Sequence, residues 1–117
     1  MVEAEPTLMG DFHMSFAKAI VIGRLGADPV VRDGKENKFT TARIAVNRGS
    51  GNDQVTTWFD ISVDGDRRSE VLGDARKGDM IYVDGALSTR EHEGKTYLRI
   101  NVDTFRVMTP TEEESAA

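Results

Sequence analysis

One helical segment, lying between three strand-like segments and two more, constrains the fold of this chain more than any other feature. The strand-like segments are rich in β-branched residues and are separated by glycine, asparagine and aspartate turns, which is the pattern of a β-protein. The helical segment spans residues 67–75 and follows Asp66, a residue type that often caps helices. The strand-like segments are residues 17–25, 38–48, 55–63, 80–90 and 96–108.

This order predicts an all-β fold, the OB-fold, which is a five-stranded Greek-key barrel with one short helix between strands 3 and 4. Glycines 23, 26 and 85 lie in segments that a small barrel must bend. A plain five-stranded meander is the alternative. We predict a disordered leader over residues 1–13, the barrel domain over residues 14–109, and a short acidic disordered tail over residues 110–117.

Alternation within the strands separates a core face from an outward face. In residues 55–63 the apolar side chains of Val55, Phe59, Ile61 and Val63 fall on one side, so Trp58 is predicted to point away from the core. In residues 96–108 the same alternation turns Leu98, Ile100 and Val102 inward and Tyr97, Arg99 and Asn101 outward.

The first strand is apolar on both faces. Val21 and Leu25 lie on one side, while Ile20 and Ile22 lie on the other. A strand that already covers a core with one face needs a second cover for the other. We therefore expect a homo-oligomer with Ile20 and Ile22 at the contact.

The net charge of −5 argues at first against a nucleic-acid partner, but the acidic residues concentrate at the ends. Residues 1–13 and 110–117 hold six acidic and no basic side chains, so the body retains 15 basic against 14 acidic residues. The body is thus nearly neutral. The position of the arginines on the fold decides what it binds.

Several classes of function are not supported. The chain has no cysteine, which excludes disulfides and thiolate chemistry and agrees with a cytoplasmic location. Its longest apolar stretch is residues 19–22, too short to cross a membrane. Asp60, Asp64 and Asp66 are the best candidates for a metal or acid–base site, yet turn and cap roles explain two of them. We expect no metal, no cofactor and no enzymatic activity.

The outward residues include Trp58 and Tyr97 among several arginines. Aromatic rings stack on unpaired bases and arginines follow the phosphates, so this combination suits single-stranded nucleic acid. Alternatively, Trp58 packs under a loop or at a subunit contact.

Several motifs resemble the bacterial-type single-stranded DNA-binding proteins. Residues 22–29, Ile-Gly-Arg-Leu-Gly-Ala-Asp-Pro, are similar to that family's first-strand signature, and residues 45–48, Ala-Val-Asn-Arg, to its Ala-Thr-Asn-Arg. Thr57-Trp58 and Tyr97 occupy positions where the family has the same residue types. Residues 77–90, from Lys-Gly-Asp to Leu-Ser-Thr-Arg, resemble its fourth-strand motif.

The resemblance implies an OB-fold homo-oligomer, usually a tetramer, that coats single-stranded DNA without reading its sequence. Such a protein protects unwound DNA in replication, recombination and repair, and it would be associated with the nucleoid. It implies stacking on Trp58, with Phe59 near a subunit contact. The other expected DNA-binding residues are Tyr97, His92, Arg43, Arg48, Arg90, Lys95 and Arg99.

The sequence departs from the family at stacking positions and at the tail. His92 follows the Thr-Arg motif where an aromatic ring is common, and Asp64 replaces a phenylalanine. Lost stacking predicts weaker, more salt-sensitive binding. The acidic end lacks the Asp-Asp-Ile-Pro-Phe tip that recruits repair proteins, which indicates a truncated or tail-less member. The alternative function is an OB-fold adaptor of the replication or primosome machinery, acting mainly through protein contacts.

Overall fold

The strands of the protein pair into a closed ring. The computed structural model describes residues 15–108; the predicted leader and acidic tail lie outside the described residues. A short 3₁₀ turn, Gly51–Asp53, joins two of the strands. The elements in chain order are β1 (Lys18–Leu25), β2 (Val30–Asp33), β3 (Lys38–Arg48), β4 (Val55–Asp64), α1 (Asp66–Gly73), β5 (Met80–His92) and β6 (Lys95–Met108).

Five strands close the barrel. The sheet has the order β1-β5-β6-β4-β3-β2, and β1 also pairs with β3 through Arg24–Ala45 and Leu25–Ile44. The pairing of β4 with β6 is parallel, whereas the other pairings are antiparallel. With α1 between β4 and β5, this is the topology of the OB-fold, and the predicted fold class is confirmed.

The described residues contain one strand more than the five predicted. Residues Val30–Asp33 form β2, which pairs with the start of β3 from Val30–Thr41 to Asp33–Lys38. The backbone N–H of Gly34 donates to the carbonyl of Asn37 at 3.0 Å and closes the turn between them. Four residues between a proline and a turn show too little alternation to be recognised as a strand. The neighbouring β3 supplies their hydrogen bonds, so β2 extends the sheet beside the barrel.

The core follows the predicted alternation except at Val55, which was expected to face inward. Val55 is 62% exposed, because it lies at the start of β4 before the residues that pair with β6. Ile44, Ile81, Ile100 and Val83 are fully buried inside the barrel, and burying each such side chain contributes about 1.5–3 kcal/mol. Trp58 is 42% exposed on the opposite face of β4, so the prediction that it points away from the core is confirmed.

Helix α1 closes one end of the barrel with Leu72 and Ser69, both fully buried. The Thr40 hydroxyl donates to the Ser69 carbonyl at 3.1 Å and ties the helix to β3. The expected capping role of Asp66 is wrong. Gly65 is the N-cap residue, and the Asp66 carboxylate instead accepts from the backbone N–H of Lys38 at 2.7 Å.

Candidate nucleic-acid interface

Strand register places the outward side chains in two adjacent rows. Arg43 on β3 is opposite Asp60 on β4, and Asp60 is opposite Arg99 on β6. The next row begins with Ala45 opposite Trp58. Tyr97 precedes the Leu98–Phe59 pair, as Trp58 does on the neighbouring strand, so these two rings belong to the same row.

Two neighbours orient the Trp58 ring. A methyl group at Gly26 would lie 2.6 Å from Cζ3 of Trp58, so any larger residue there would force the ring to move. On the ring face, the guanidinium carbon of Arg43 lies 4.9 Å from the ring centroid, a cation–π arrangement. The ring is therefore positioned by the protein while much of it stays open to solvent.

Arg43 is also held by a carboxylate. Its Nε donates to Oδ1 of Asp60 at 3.0 Å, and the two side chains are 52% and 29% exposed. Arg43 thus contacts both the central carboxylate and the central ring of this surface.

A cleft of about 400 Å³ opens beside this pair. Four arginines line this cleft. Three of them are predicted site residues: Arg43 on β3, Arg90 on β5 and Arg99 on β6. The fourth arginine is Arg32 on β2, whose Nε donates to the Thr41 hydroxyl at 3.3 Å. Arg32 was not among the predicted site residues because residues 30–33 were not predicted to form a strand. The Asp-Gly turn that follows it was the available signal, since such turns mark hairpins.

Beyond Ala86, the last residue of β5 that pairs with β1, the end of β5 and the start of β6 form a hairpin arm. The paired positions Ser88–Arg99, Arg90–Tyr97 and His92–Lys95 succeed one another at intervals of two, so they share one face of the arm. His92 and Lys95 lie at its tip, where Nε2 of His92 is 3.6 Å from Oε2 of Glu93. Five of the predicted site residues therefore line one continuous surface: Arg90, His92, Lys95, Tyr97 and Arg99.

Arg48 is set apart from this surface. It ends β3 opposite Val55 and lines a separate cleft of about 350 Å³ with Asp53 and Thr57. An interval of five residues separates it from Arg43, so alternation turns the two side chains to opposite faces.

A second exposed surface lies on β1 and β5. Ile20 and Ile22 are 68% and 53% exposed, opposite Asp84 and Tyr82 in the strand register. The Tyr82 hydroxyl donates to Oδ2 of Asp84 at 2.7 Å, and Nζ of Lys18 lies 3.9 Å from Oδ1 of the same carboxylate. This hydrogen bond and the adjacent negative charge raise the pKa of Tyr82.

Phe59, the third residue expected near a subunit contact, is placed elsewhere. It is half-buried on β4 and packs against the core. Its part in a contact between subunits stays a prediction.

Neither a metal site nor a membrane helix is found between residues 15 and 108. No three histidine or acidic side chains of this region are arranged to hold a metal ion. Asp60 and Asp66 have the partners described above, Arg43 and the backbone of Lys38. No helix of the same region has the length and apolarity needed to cross a membrane.

Comparison with known proteins identifies the family. Residues 16–109 match the model of the single-strand binding protein family. The chain belongs to this family. The resemblance of its motifs is thereby confirmed. Because the members are DNA-binding proteins and not enzymes, the expectation of no enzymatic activity is confirmed as well. The adaptor alternative gains no support from the comparisons.

Relatives in two bacteria are similar over most of the barrel. Single-stranded DNA-binding protein 2 of Streptococcus agalactiae is 34% identical over 88 residues, which are 70% of this chain and 67% of that protein. The single-stranded DNA-binding protein of Neisseria meningitidis is 30% identical over 89 residues, 70% of this chain and 51% of its own. The crystal structure of a small single-stranded DNA-binding protein from Streptomyces coelicolor shares the fold, with a TM-score of 0.68 at 21% identity over 81% of this chain and 96% of that one.

Proposed function

We propose that this protein binds single-stranded DNA without sequence preference and protects unwound DNA in replication, recombination and repair. The observation that carries the proposal is a half-exposed tryptophan, Trp58, held on a sheet face beside a cleft with four arginines. A tryptophan buried under a loop would not support it.

Binding would combine two kinds of contact. Bases stack on Trp58 and Tyr97, because every base has a π-face and stacking is tolerant of sequence. Phosphates follow Arg99, Arg90 and Lys95 along the hairpin arm, where the cations succeed one another on one face. The DNA would thus run from the barrel surface onto the arm, and His92 at the tip adds a further ring.

The active form would be a homo-oligomer, and the resemblance to the family suggests a tetramer. Ile20 and Ile22 place exposed apolar surface on β1, and a second copy is the partner whose contact satisfies that surface symmetrically. Because the unwound DNA that it would bind belongs to the nucleoid, we expect the protein in the cytoplasm.

The deciding experiment is a binding titration of labelled oligo-dT of about 35 nucleotides, followed by fluorescence anisotropy at several salt concentrations. Tight binding is expected, with a log–log salt slope of about −0.7 for each phosphate neutralised. Trp58→Ala should weaken binding about 5- to 150-fold, the equivalent of about 1–3 kcal/mol for one stacked base.

Trp58→Phe is the matched control, since it keeps a ring at the same position and should retain most of the affinity. In the unmodified protein, the same titration should quench the fluorescence of its single tryptophan. Absence of binding at low salt would refute the proposed function, whereas equal affinity of Trp58→Ala and the unmodified protein would refute stacking on Trp58.

A further inference from the structure

Asp60 lies at the centre of the proposed DNA surface, where its negative charge would repel the phosphates. We propose that Asp60 is an internal competitor of the DNA backbone, which holds Arg43 across the Trp58 ring until a strand displaces it. The inference rests on the proposed function and deepens it, because it names a residue that sets the affinity of the site.

The register gives Asp60 its central place. On β4 it has Arg43 of β3 on one side and Arg99 of β6 on the other. The contact with Arg43 is a direct charge-assisted hydrogen bond of 3.0 Å. The other carboxylate of the cleft, Asp28, is differently engaged, since it accepts from the backbone N–H of Lys77 at 2.7 Å.

The same contact affects stacking. With its Nε on Asp60, Arg43 has its guanidinium carbon 4.9 Å from the Trp58 centroid, over the ring face. A base that stacks on this face must move the guanidinium, and a phosphate that takes Arg43 must replace Asp60. Entry of DNA is therefore an exchange of partners at Arg43.

Such an exchange is feasible because the pair is partly solvated. Arg43 is 52% and Asp60 29% exposed, and ion pairs of this kind are weak and screened by salt. Once Arg43 has moved to the phosphate, Asp60 remains beside the new anion and repels it. Asp60 should therefore lower affinity without abolishing binding.

The test is Asp60→Asn, which keeps the shape of the side chain and one oxygen able to accept from Arg43 while replacing the charged carboxylate by a neutral amide. We expect oligo-dT to bind about fivefold more tightly, the upper limit of what a partly exposed ion pair contributes. The salt slope should steepen by about 0.7, because Asp60→Asn no longer leaves an uncompensated negative charge, which offsets one phosphate neutralisation, when Arg43 moves to the phosphate. Glu70→Gln is the matched control, since Glu70 is an exposed acid on α1 and its change alters the net charge equally; its affinity should stay within twofold.

A double-mutant cycle makes the result specific to the pair. Arg43→Gln should cost little in the unmodified protein, where the contact of Arg43 with a phosphate only replaces its contact with Asp60, and several-fold more in the Asp60→Asn background, where Arg43 gives up no ion pair. This difference also remains readable if a variant is slightly less stable.

The inference is overturned if Asp60→Asn binds no more tightly than the unmodified protein, or if Glu70→Gln tightens binding as much. Additive effects of Arg43→Gln and Asp60→Asn would overturn it too. Failure of the unmodified protein to bind oligo-dT is a different outcome, which refutes the proposed function itself.

Discussion

Two outer surfaces of the barrel are both open to solvent but differ in chemistry. The arginine face consists of the outward residues Arg43, Trp58, Asp60, Arg90, Tyr97 and Arg99, whereas the isoleucine face consists of Ile20, Ile22, Tyr82 and Asp84. Cations and rings suit a flexible anion with flat bases, whereas branched aliphatic side chains are stabilised by apolar contact. Exposure therefore does not identify a binding surface until its chemistry is considered.

Strand β5 belongs to both surfaces. Its first half, as far as Ala86, pairs with β1 under the isoleucine face, and its second half forms the arm with β6. One strand thus connects the proposed subunit contact to the proposed DNA surface. The two surfaces should still be separable, because each depends on different side chains.

The largest expected effect is loss of the oligomer in the variant Ile20→Lys with Ile22→Thr. Lysine at position 20 stands opposite Asp84 of its own chain, and threonine is a good strand residue, so the fold should persist while the apolar contact is lost. Light scattering should show the monomer mass, with an unchanged circular dichroism spectrum.

Because the two faces depend on different side chains, this monomer should still bind a short oligonucleotide through the arginine face. The control is Val71→Thr, which changes an exposed apolar residue of α1 outside both surfaces and should leave the mass unaltered. An unmodified protein that is already monomeric, or a variant that remains oligomeric, would contradict the assignment of the isoleucine face.

Gly26→Ala should have an intermediate effect, confined to the arginine face. The added methyl group would lie 2.6 Å from Cζ3 of Trp58 and force the ring to move. We expect oligo-dT affinity to fall about tenfold, within the range that one misplaced stacking contact costs. Anisotropy titration measures this loss, and light scattering should show an unchanged oligomer.

A smaller ring provides the control for Gly26. In the Trp58→Phe background the crowding is reduced, so Gly26→Ala should cost less there than in the unmodified protein. Equal costs in both backgrounds would mean that Gly26 acts through the backbone and not through the ring.

Alternation and turn residues were sufficient to predict the barrel, most of its core and the outward position of Trp58, because these depend on residues a few positions apart. Alternation also predicts that Arg43 and Arg48 lie on opposite faces of β3, because an odd number of positions separates them. The Arg43–Asp60 contact was beyond these patterns, since it depends on which residues of β3 and β4 stand opposite each other. Arg32 was missed for a related reason: its strand exists through pairing with β3 and has little pattern of its own.

The smallest effect concerns pH and the isoleucine face. The hydrogen bond to Asp84, with burial and the nearby charge, raises the pKa of Tyr82 above its ordinary value of 10.0. The folded protein therefore holds this proton more tightly than the unfolded chain. The resulting stability is fully present below pH 10 and is lost as the pH rises through the folded-state pKa.

Thermal unfolding between pH 9 and 11, followed by circular dichroism, should show a steeper decline for the unmodified protein than for Tyr82→Phe, which has no proton to lose at this position. If a second copy covers the isoleucine face, ionised Tyr82 would also place a new charge beside Asp84 within the contact. Light scattering should then show dissociation over the same pH range in the unmodified protein and less of it in Tyr82→Phe. Parallel declines in both proteins would show that ionisation of Tyr82 affects neither folding nor assembly, so the prediction for the isoleucine face would then rest on Ile20 and Ile22.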